Sequence, residues 1–242
     1  MKTWHLATID IRHVPVLVLA ASMFFGASSA YSTAQGTALI ECALHYAKVK
    51  SRLKEDAITA CEGANRAITF LKEMGMAIPR DITIEIVDDM PAAVDPSALG
   101  AYIKDEQRIL ILHYAALEKR REWYRLPVDR ELYRGIVSHE ITHAISSHNF
   151  RIKNPSILAE EYIAYVTLLS TMAHAQRRQI ITLYPDDATD DEAGLRDVGV
   201  YMIDPVRFGV NAYRHFLRQE NGRRFLEAIL DGKAMADVGN GS

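Results

Sequence analysis

The chain has 242 residues, of which 49% are hydrophobic and 24% are charged, a balance typical of globular proteins and unlike disordered, collagen-like or multi-span membrane chains. Its length suits one domain, or two small lobes around one cleft. The 28 basic and 31 acidic side chains give a formal charge of -3, which leaves no cationic excess for neutralising phosphates. We therefore expect no nucleic-acid partner.

Residues 1–30 have the pattern of a secretory signal peptide. Lys2 and Arg12 precede an apolar run from Val14 to Ala27, and small residues follow the run. The run is shorter than the roughly 18 apolar residues that a stable transmembrane helix needs. Cleavage after Ala30 or Ala34 fits the small-x-small rule, and we favour Ala30; an uncleaved anchor is the alternative. We predict an exported protein, periplasmic or extracellular, with no stable transmembrane anchor.

The two cysteines follow this segment, and export changes what they are expected to do. An oxidising compartment allows Cys42 and Cys61 to form a disulfide, which the cytoplasm disfavours. Neither cysteine lies in a CxxC or Cys/His catalytic pattern. We predict a Cys42–Cys61 disulfide; two buried thiols that pack as small apolar residues are the alternative.

Hydrophobic periodicity predicts a small sheet and one long helix in the first half of the chain. Loose alternation predicts a strand over Ile40–Ser51, with a helix as the alternative. Apolar positions at spacings of three and four predict an amphipathic helix over Leu53–Met74. Ile82–Val87 is expected to form a strand, and Leu99–Lys104 with Arg108–Leu112 a hairpin. The sheet would then have three or four strands.

Helical patterns dominate after Pro127. Asp129 is the expected cap of the first helix, and Asn154 with Pro155 the expected start of the second. An acidic loop is predicted at Asp186–Glu192. The predicted helices cover Asp129–Ser147, Asn154–Met172, Val206–Leu217 and Arg223–Leu230.

An HExxH motif from His139 to His143 carries the chemistry. Two histidines at i and i+4 project from the same side of a helix, where both can ligate one zinc ion. Glu140, next to the first histidine, can then reach the metal-bound water. A hydrolytic zinc site needs three protein ligands and one open position, and the next predicted helix offers Glu160 and Glu161. A chance HExxH in a helical core is the alternative.

The motif and its continuation resemble a known group of enzymes. Glu161-Tyr162-Ile163-Ala164 follows HExxH as a Glu-x-x-Ala arrangement. This order resembles the gluzincin group of zinc metallopeptidases over roughly Ile82 to Leu169. The layout is also similar to that of uncharacterised secreted bacterial proteins with a Glu-Tyr-Ile-Ala-Tyr-like segment. A metzincin matches less well, because Ser146 and Asn149 occupy the positions of its glycine and third histidine.

The resemblance implies a zinc cofactor, a peptide or protein substrate and a set of ligands. His139, His143 and Glu161 are the implied ligands, with Glu160 as the alternative third ligand. Glu140 is the implied base, which takes a proton from the zinc-bound water and returns it to the leaving amine.

The resemblance also implies a Tyr or His donor to the oxyanion from a later helix. Tyr213 and His215 are the candidates for this role. His174 and Tyr201 are expected only to pack or to lie on the surface.

The chain departs from the resembled group in two ways. Thermolysin-like enzymes place an aspartate four residues after the ligand glutamate to orient a histidine, whereas this chain has Tyr165. The aminopeptidase motif is also absent. Because the outer nitrogen of a ligating histidine needs a hydrogen-bond acceptor, we expect a backbone carbonyl or the Tyr165 hydroxyl to serve.

Two segments near the motif have surface roles to consider. The edge of the Arg108–Leu112 strand is expected to bind an extended peptide as an added strand, with an ordinary covered edge as the alternative. The locally basic and aromatic stretch Glu118–Arg125 is expected to be a solvated helix or loop face, with contact to an anionic surface or a substrate as the alternative.

The resulting expectation is an exported zinc metallopeptidase, with a non-catalytic zinc-binding interaction protein on the same fold as the alternative. The fold is expected to be α+β and zincin-like, in one catalytic domain over residues 31–242. Its N-terminal lobe, about 31–150, would hold a small mixed sheet with helices. The C-terminal lobe, about 151–235, would be helical, with the zinc site between the lobes and a disordered tail at 236–242.

Overall fold

The structure, a computed structural model, describes residues 37–95, 97–185 and 192–235. The predicted signal peptide, the acidic residues 186–191 and the predicted tail lie outside the described residues. The described residues belong to one compact unit.

The described strands form one five-stranded sheet and one short ribbon. In the sheet the order is β1-β2-β3-β5-β4, with β2, β3 and β5 parallel and the two edge strands antiparallel to their neighbours. The predicted small mixed sheet and α+β class are confirmed, with five strands instead of three or four. The strands are β1 (Ala38–Glu41), β2 (Ala47–Ser51), β3 (Ile82–Val87), β4 (Gly100–Ile103) and β5 (Arg108–Leu112), and the ribbon is β6 (Glu122–Trp123) with β7 (Leu126–Pro127).

The prediction of a single strand over Ile40–Ser51 is wrong, because this segment is the β1–β2 hairpin. His45 takes a left-handed φ of 57°, and its N–H donates to the Cys42 carbonyl at 2.9 Å, which closes the turn. Cys42 is bonded to Cys61, so the predicted disulfide is present and ties this turn to the first helix. The buried positions shift from Cys42 before the turn to Ala47 and Val49 after it, and this shift by one residue is too small a signal for a periodicity argument.

The helices follow the predicted order with four additions. Asp129 caps its helix as predicted, accepting from the Leu132 N–H at 2.8 Å, whereas Ser156 replaces the predicted Asn154 as the cap of the next helix. The second, fifth, sixth and seventh helices were not predicted. The helices are α1 (Lys54–Glu73), α2 (Tyr114–Glu118), α3 (Arg130–Asn149), α4 (Ile157–Thr171), α5 (His174–Leu183), α6 (Glu192–Leu195), α7 (Val198–Ile203), α8 (Pro205–Arg218) and α9 (Gly222–Leu230).

The core lies between one face of the sheet and helices α1 and α3. Val49, Ile84 and Ile109 occupy paired positions on that face and are fully buried. Gly63 allows α1 to approach α3 closely, since a Cβ there would lie 2.6 Å from the Arg134 carbonyl oxygen. The Ser138 hydroxyl donates to the Gly63 carbonyl at 3.0 Å. This packing fixes α3, which carries the HExxH motif.

Within the described residues, none of the helices combines the length and the hydropathy that crossing a bilayer requires.

Candidate metal centre

Helices α3 and α4 bring the three predicted ligands together. The Nε2 atoms of His139 and His143 lie 3.1 Å apart. Glu161 Oε2 lies 3.4 Å from His139 Nε2, and Glu161 Oε1 lies 3.6 Å from His143 Nε2. The histidines share a face of α3 because they are one helical turn apart, and α4 packs alongside with its first turns next to them. Glu160 is not a member of this group of ligand atoms.

The spacing of the two imidazole nitrogens and the two carboxylate oxygens of Glu161 fits a tetrahedral metal ion. Zinc bonds of about 2.0 to 2.2 Å to nitrogen and oxygen place tetrahedral ligand atoms roughly 3.3 to 3.5 Å apart. The observed separations of 3.1, 3.4 and 3.6 Å bracket that range. Two imidazoles and one carboxylate are also the donor set of many hydrolytic zinc sites. His139, His143 and Glu161 can therefore hold a zinc ion.

Glu140 lies beside this group and is held by the edge strand β4. The backbone N–H of Tyr102 donates to its carboxylate. A Cβ at Gly100 would lie 2.6 Å from Glu140 Cγ, so only glycine leaves room for the carboxyl group. Burial raises the pKa of Glu140 to about 7, well above the ordinary value of 4.5. A carboxyl group with a pKa near neutrality is suited to both accepting and returning a proton.

The electrostatics of the three ligand side chains reflect their burial and their mutual contacts. Burial and the neighbouring His139 lower the pKa of His143 to about 4, which favours the neutral imidazole that binds metals. Burial alone would lower the pKa of His139, but the hydrogen bond with Glu161 and the negative charges of Glu161 and Glu140 together outweigh burial and raise the pKa. Burial alone would raise the pKa of Glu161, but its interactions with His139 and His143 and the hydrogen bond from Tyr201 together lower it.

The outer nitrogen of His139 is not supported as expected. His139 Nδ1 is buried and has no hydrogen-bond partner among the described residues. The Tyr165 ring lies edge-on to the His139 ring, with 4.6 Å between the centroids. For His139, the prediction that a backbone carbonyl or the Tyr165 hydroxyl accepts from this nitrogen is therefore wrong.

The ligand group opens into a cavity of ≈ 700 Å³. Tyr102 and Lys104 extend β4 along one wall, and Glu160 lies on the facing helix α4. Trp123 of the β6–β7 ribbon and Tyr201 of α7 also line the cavity. A substrate segment can thus approach Glu140 and the ligand group from solvent.

The structure does not bring Tyr213 and His215 to this cavity. The N-terminal residue of α8, Pro205, lines the cavity, and the helical rise of about 1.5 Å per residue puts Tyr213 about 12 Å further along the axis. His215 Nδ1 instead lies 2.9 Å from the Tyr162 hydroxyl. His174 is exposed at the start of α5.

Tyr201 reaches the site, whereas the predicted donors Tyr213 and His215 do not. Its hydroxyl donates a hydrogen bond to the Glu161 carboxylate, and burial raises its pKa. The prediction that Tyr201 only packs is therefore wrong. The helix that carries it, α7, has six residues, too few for a periodic signal.

Two surface predictions also change. Arg108–Leu112 is not an edge strand, because β3 and β4 pair with its two sides; the edge next to Glu140 is β4. The Glu118–Arg125 stretch is not simply solvated, because Tyr124 is 1% exposed and Trp123 lines the cavity. Both differences arise at turns of the chain, which leave no periodic pattern in the sequence.

The fold and the site define an α+β chain with a His/His/Glu group beside a buried glutamate. Residues 47–239 match a family of unknown function (DUF6639), and the chain belongs to that family. No curated protein and no solved structure matches the chain.

Proposed function

We propose that the chain is an exported, zinc-dependent metallopeptidase-like hydrolase with a zincin-like catalytic domain. The observation that carries this proposal is the convergence of His139, His143 and Glu161 at tetrahedral spacing, with Glu140 beside them in an open cavity. In a chance surface cluster of acids and histidines, a neighbouring glutamate would have no reason to be buried and held by a backbone N–H. Glu140 is both. The Cys42–Cys61 disulfide supports export, because disulfides persist in oxidising compartments.

The roles of the side chains follow from their positions. A zinc ion bound here supplies a Lewis acid that polarises a carbonyl and acidifies water. Glu140 accepts the proton of the attacking water at its carboxylate and delivers it to the leaving amine. The Tyr201 hydroxyl donates its single proton to Glu161, and by exchanging that hydrogen bond it would donate to the carbonyl oxygen as negative charge develops there.

The edge strand β4 supplies a way to bind the substrate backbone. Antiparallel pairing with β5 uses one side of β4, and the other side is the edge of the sheet. An extended peptide that adds to this edge would place its backbone beside Gly100 and Tyr102, next to Glu140. The earlier expectation of strand addition at Arg108–Leu112 thus moves one strand outward, to β4.

The test is metal content and turnover on purified residues 31–242. We expect about one zinc per chain by mass spectrometry, with zinc lost in His143→Ala and Glu161→Ala. Glu160→Ala is the matched control, because it removes the neighbouring carboxylate and should keep the metal. Glu140→Gln should keep zinc and abolish cleavage of an unstructured protein such as casein.

Three outcomes would contradict the proposal in different ways. Absence of zinc after reconstitution at neutral pH would make the HExxH motif a coincidence. Zinc without cleavage of any substrate tested would leave the non-catalytic zinc-binding protein. An unchanged rate in Glu140→Gln would remove Glu140 from its role as the base.

A further inference from the structure

The cavity extends in both directions from Glu140 along α3. Ile136, one turn before His139, and Ser147, one turn after His143, both line it. Eleven residues of helix at about 1.5 Å each separate these positions by about 16 Å, the length of roughly five residues of extended peptide. The two ends can therefore receive different residues of one substrate segment.

The end of the cavity at Ser147 is polar. A hydrogen bond joins the hydroxyls of Tyr102 and Ser147, and the positive charge of Lys104 acts on Glu160. All four side chains line the cavity. This end suits polar groups of a ligand.

The end of the cavity at Ile136 carries an apolar patch beside a charged rim. Leu99 precedes Gly100 on the chain, so it lies on the side of Glu140 opposite to Tyr102 and Lys104. The β6–β7 ribbon ends at Pro127, just before α3 begins, which places Trp123 at the N-terminal end of that helix. Leu99, Trp123 and Ile136 all line the cavity and pack against the core. Charged side chains also line the cavity at this rim, namely Asp95, Arg120 and Glu122. Hydrogen bonds from Ser97 lower the pKa of Asp95, with a smaller contribution from the positive charge of Arg120.

The residues around Trp123 in the ribbon have strained backbone conformations. Arg121, Tyr124 and Arg125 take left-handed φ angles of 64°, 55° and 57°, which side-chain-bearing residues rarely adopt. The surroundings hold this backbone: Tyr124 is buried, and the Arg125 guanidinium lies 4.4 Å from the centroid of the Tyr184 ring. Strain of this kind persists where the surrounding structure fixes it, and it is concentrated at functional sites. The result is an aromatic ring presented to the cavity in a fixed position.

We propose that Trp123, with Leu99 and Ile136, forms a subsite for an aromatic or large aliphatic side chain next to the bond that is cleaved. The inference rests on the proposed hydrolase function and adds its substrate class: peptides with a bulky apolar residue on the Trp123 side and a polar residue on the Ser147 side. A rigid indole and two aliphatic walls favour such a side chain through stacking and burial of apolar surface.

The experiment uses Trp123 as its own reporter. The chain has two tryptophans, Trp4 and Trp123, so Trp123 is the only one in residues 31–242. Zinc-loaded Glu140→Gln is titrated with blocked pentapeptides that differ only in one central residue, Phe or Ser. We expect the Phe peptide to change the emission of Trp123 and to bind about tenfold more tightly than the Ser peptide.

Two variants test the side chain directly. By calorimetric titration, Trp123→Ala should bind the Phe and Ser peptides equally, whereas Trp123→Phe should keep part of the preference and guards against misfolding of the alanine variant. Leu39→Ala is the matched control, since it truncates an apolar side chain that is 60% exposed on β1, and it should keep the full preference.

The outcomes separate this inference from the proposed function. Equal binding of both peptides by a protein that cleaves them would overturn the subsite and leave the hydrolase. Preference for the Phe peptide without cleavage by the wild type would keep the subsite and overturn the hydrolase. Preference that survives in Trp123→Ala would overturn the role of Trp123.

Discussion

Gly100 is the position at which the edge strand β4 limits the space for Glu140, the proposed base. A Cβ at this position would lie 2.6 Å from Glu140 Cγ and 3.0 Å from its Oε1. We predict that Gly100→Ala displaces the carboxylate and lowers kcat about a hundredfold, because a shift of about 1 Å in a reacting group can cost that much. Zinc content should not change, since the three ligands are untouched.

Gly135→Ala is the matched control for this experiment. Gly135 lies in α3, and a Cβ there would meet its nearest atoms at 3.5 Å, an ordinary contact. Its rate should match the wild type. If Gly100→Ala also turned over at the wild-type rate, β4 would have no part in positioning Glu140.

Tyr165 is the residue that leaves His139 without support. Replacing its ring with a carboxylate, as Tyr165→Asp, should give His139 Nδ1 an acceptor. Because acceptors of this kind change metal affinity by about 10- to 100-fold, we predict zinc binding tighter by about that factor in a chelator competition assay. Tyr165→Leu removes the ring without adding an acceptor and should show no gain. Equal affinities for both variants would mean that the orphaned nitrogen does not limit metal binding.

The residues of the site divide sharply into those that the sequence predicted and those that it did not. His139 and His143 were predictable because helical spacing fixes which side chains share a face, and long helices carry that spacing. Glu161 was implied by the resemblance of its Glu-x-x-Ala arrangement to that of gluzincins. Tyr201 and Trp123 were not predictable, because α7 and the β6–β7 ribbon are too short to impose a period. The predicted oxyanion donors Tyr213 and His215 lie on a periodic helix, but periodicity does not show which end of that helix meets the site.

At the scale of elements, the long helices and the central strands were predictable for the same reason. The predicted helix over Leu53–Met74 and the predicted strand over Ile82–Val87 correspond to α1 and β3. The β1–β2 hairpin was not, because the only trace of the turn is a shift of the buried positions from Cys42 to Ala47 and Val49, which a loose alternation over twelve residues does not reveal. Local spacing thus identifies elements, whereas short turns between strands require knowledge of tertiary pairing.

The strands β2, β3 and β5 are joined on their polar face by an ionic group whose strength depends on pH. Glu85 lies 2.8 Å from Lys50 Nζ and 2.9 Å from Arg108 Nη1. Burial would raise the pKa of Glu85, but the hydrogen bonds from Lys50 and Arg108 outweigh burial and lower it. A carboxylate whose pKa is lower in the folded chain stabilises it above the unfolded pKa, and the effect is lost as pH falls through the folded pKa.

We therefore predict that Glu85→Gln destabilises the protein by about 1 kcal/mol at pH 7, near the upper end for partly exposed ion pairs. The difference from wild type should shrink as pH falls below the ordinary Glu pKa of 4.5. Urea unfolding at pH 7, 4.5 and 3 measures this, with the exposed Glu73→Gln as control. A difference that stays constant over this range would show that the charge of Glu85 is not the cause.

At the scale of the whole molecule, the disulfide restrains two elements that carry none of the proposed metal ligands. It joins the β1–β2 turn to α1 across a sequence separation of 19. In the chain-entropy model a loop of this length contributes about 3 kcal/mol, so the double variant Cys42→Ala/Cys61→Ala should lose about that much free energy of unfolding in urea. Zinc content at 25 °C should stay the same, because the ligands lie on α3 and α4. A loss of zinc in this variant would show that the hairpin and the site are coupled.

The metal should stabilise the whole molecule, because the three ligands join α3 to α4 only in the folded chain. A ligand that binds the folded state alone adds about 2.7 kcal/mol to the free energy of unfolding when its free concentration is 100 times its Kd. We predict a stabilisation of about this size for zinc in buffered titrations. Zinc binding to the unfolded chain through cysteine would reduce this stabilisation, but Cys42 and Cys61 are paired and offer no thiolates. His143→Ala should abolish the stabilisation while Glu140→Gln retains it. If zinc stabilised His143→Ala equally, the metal would be acting at a different place on the folded protein.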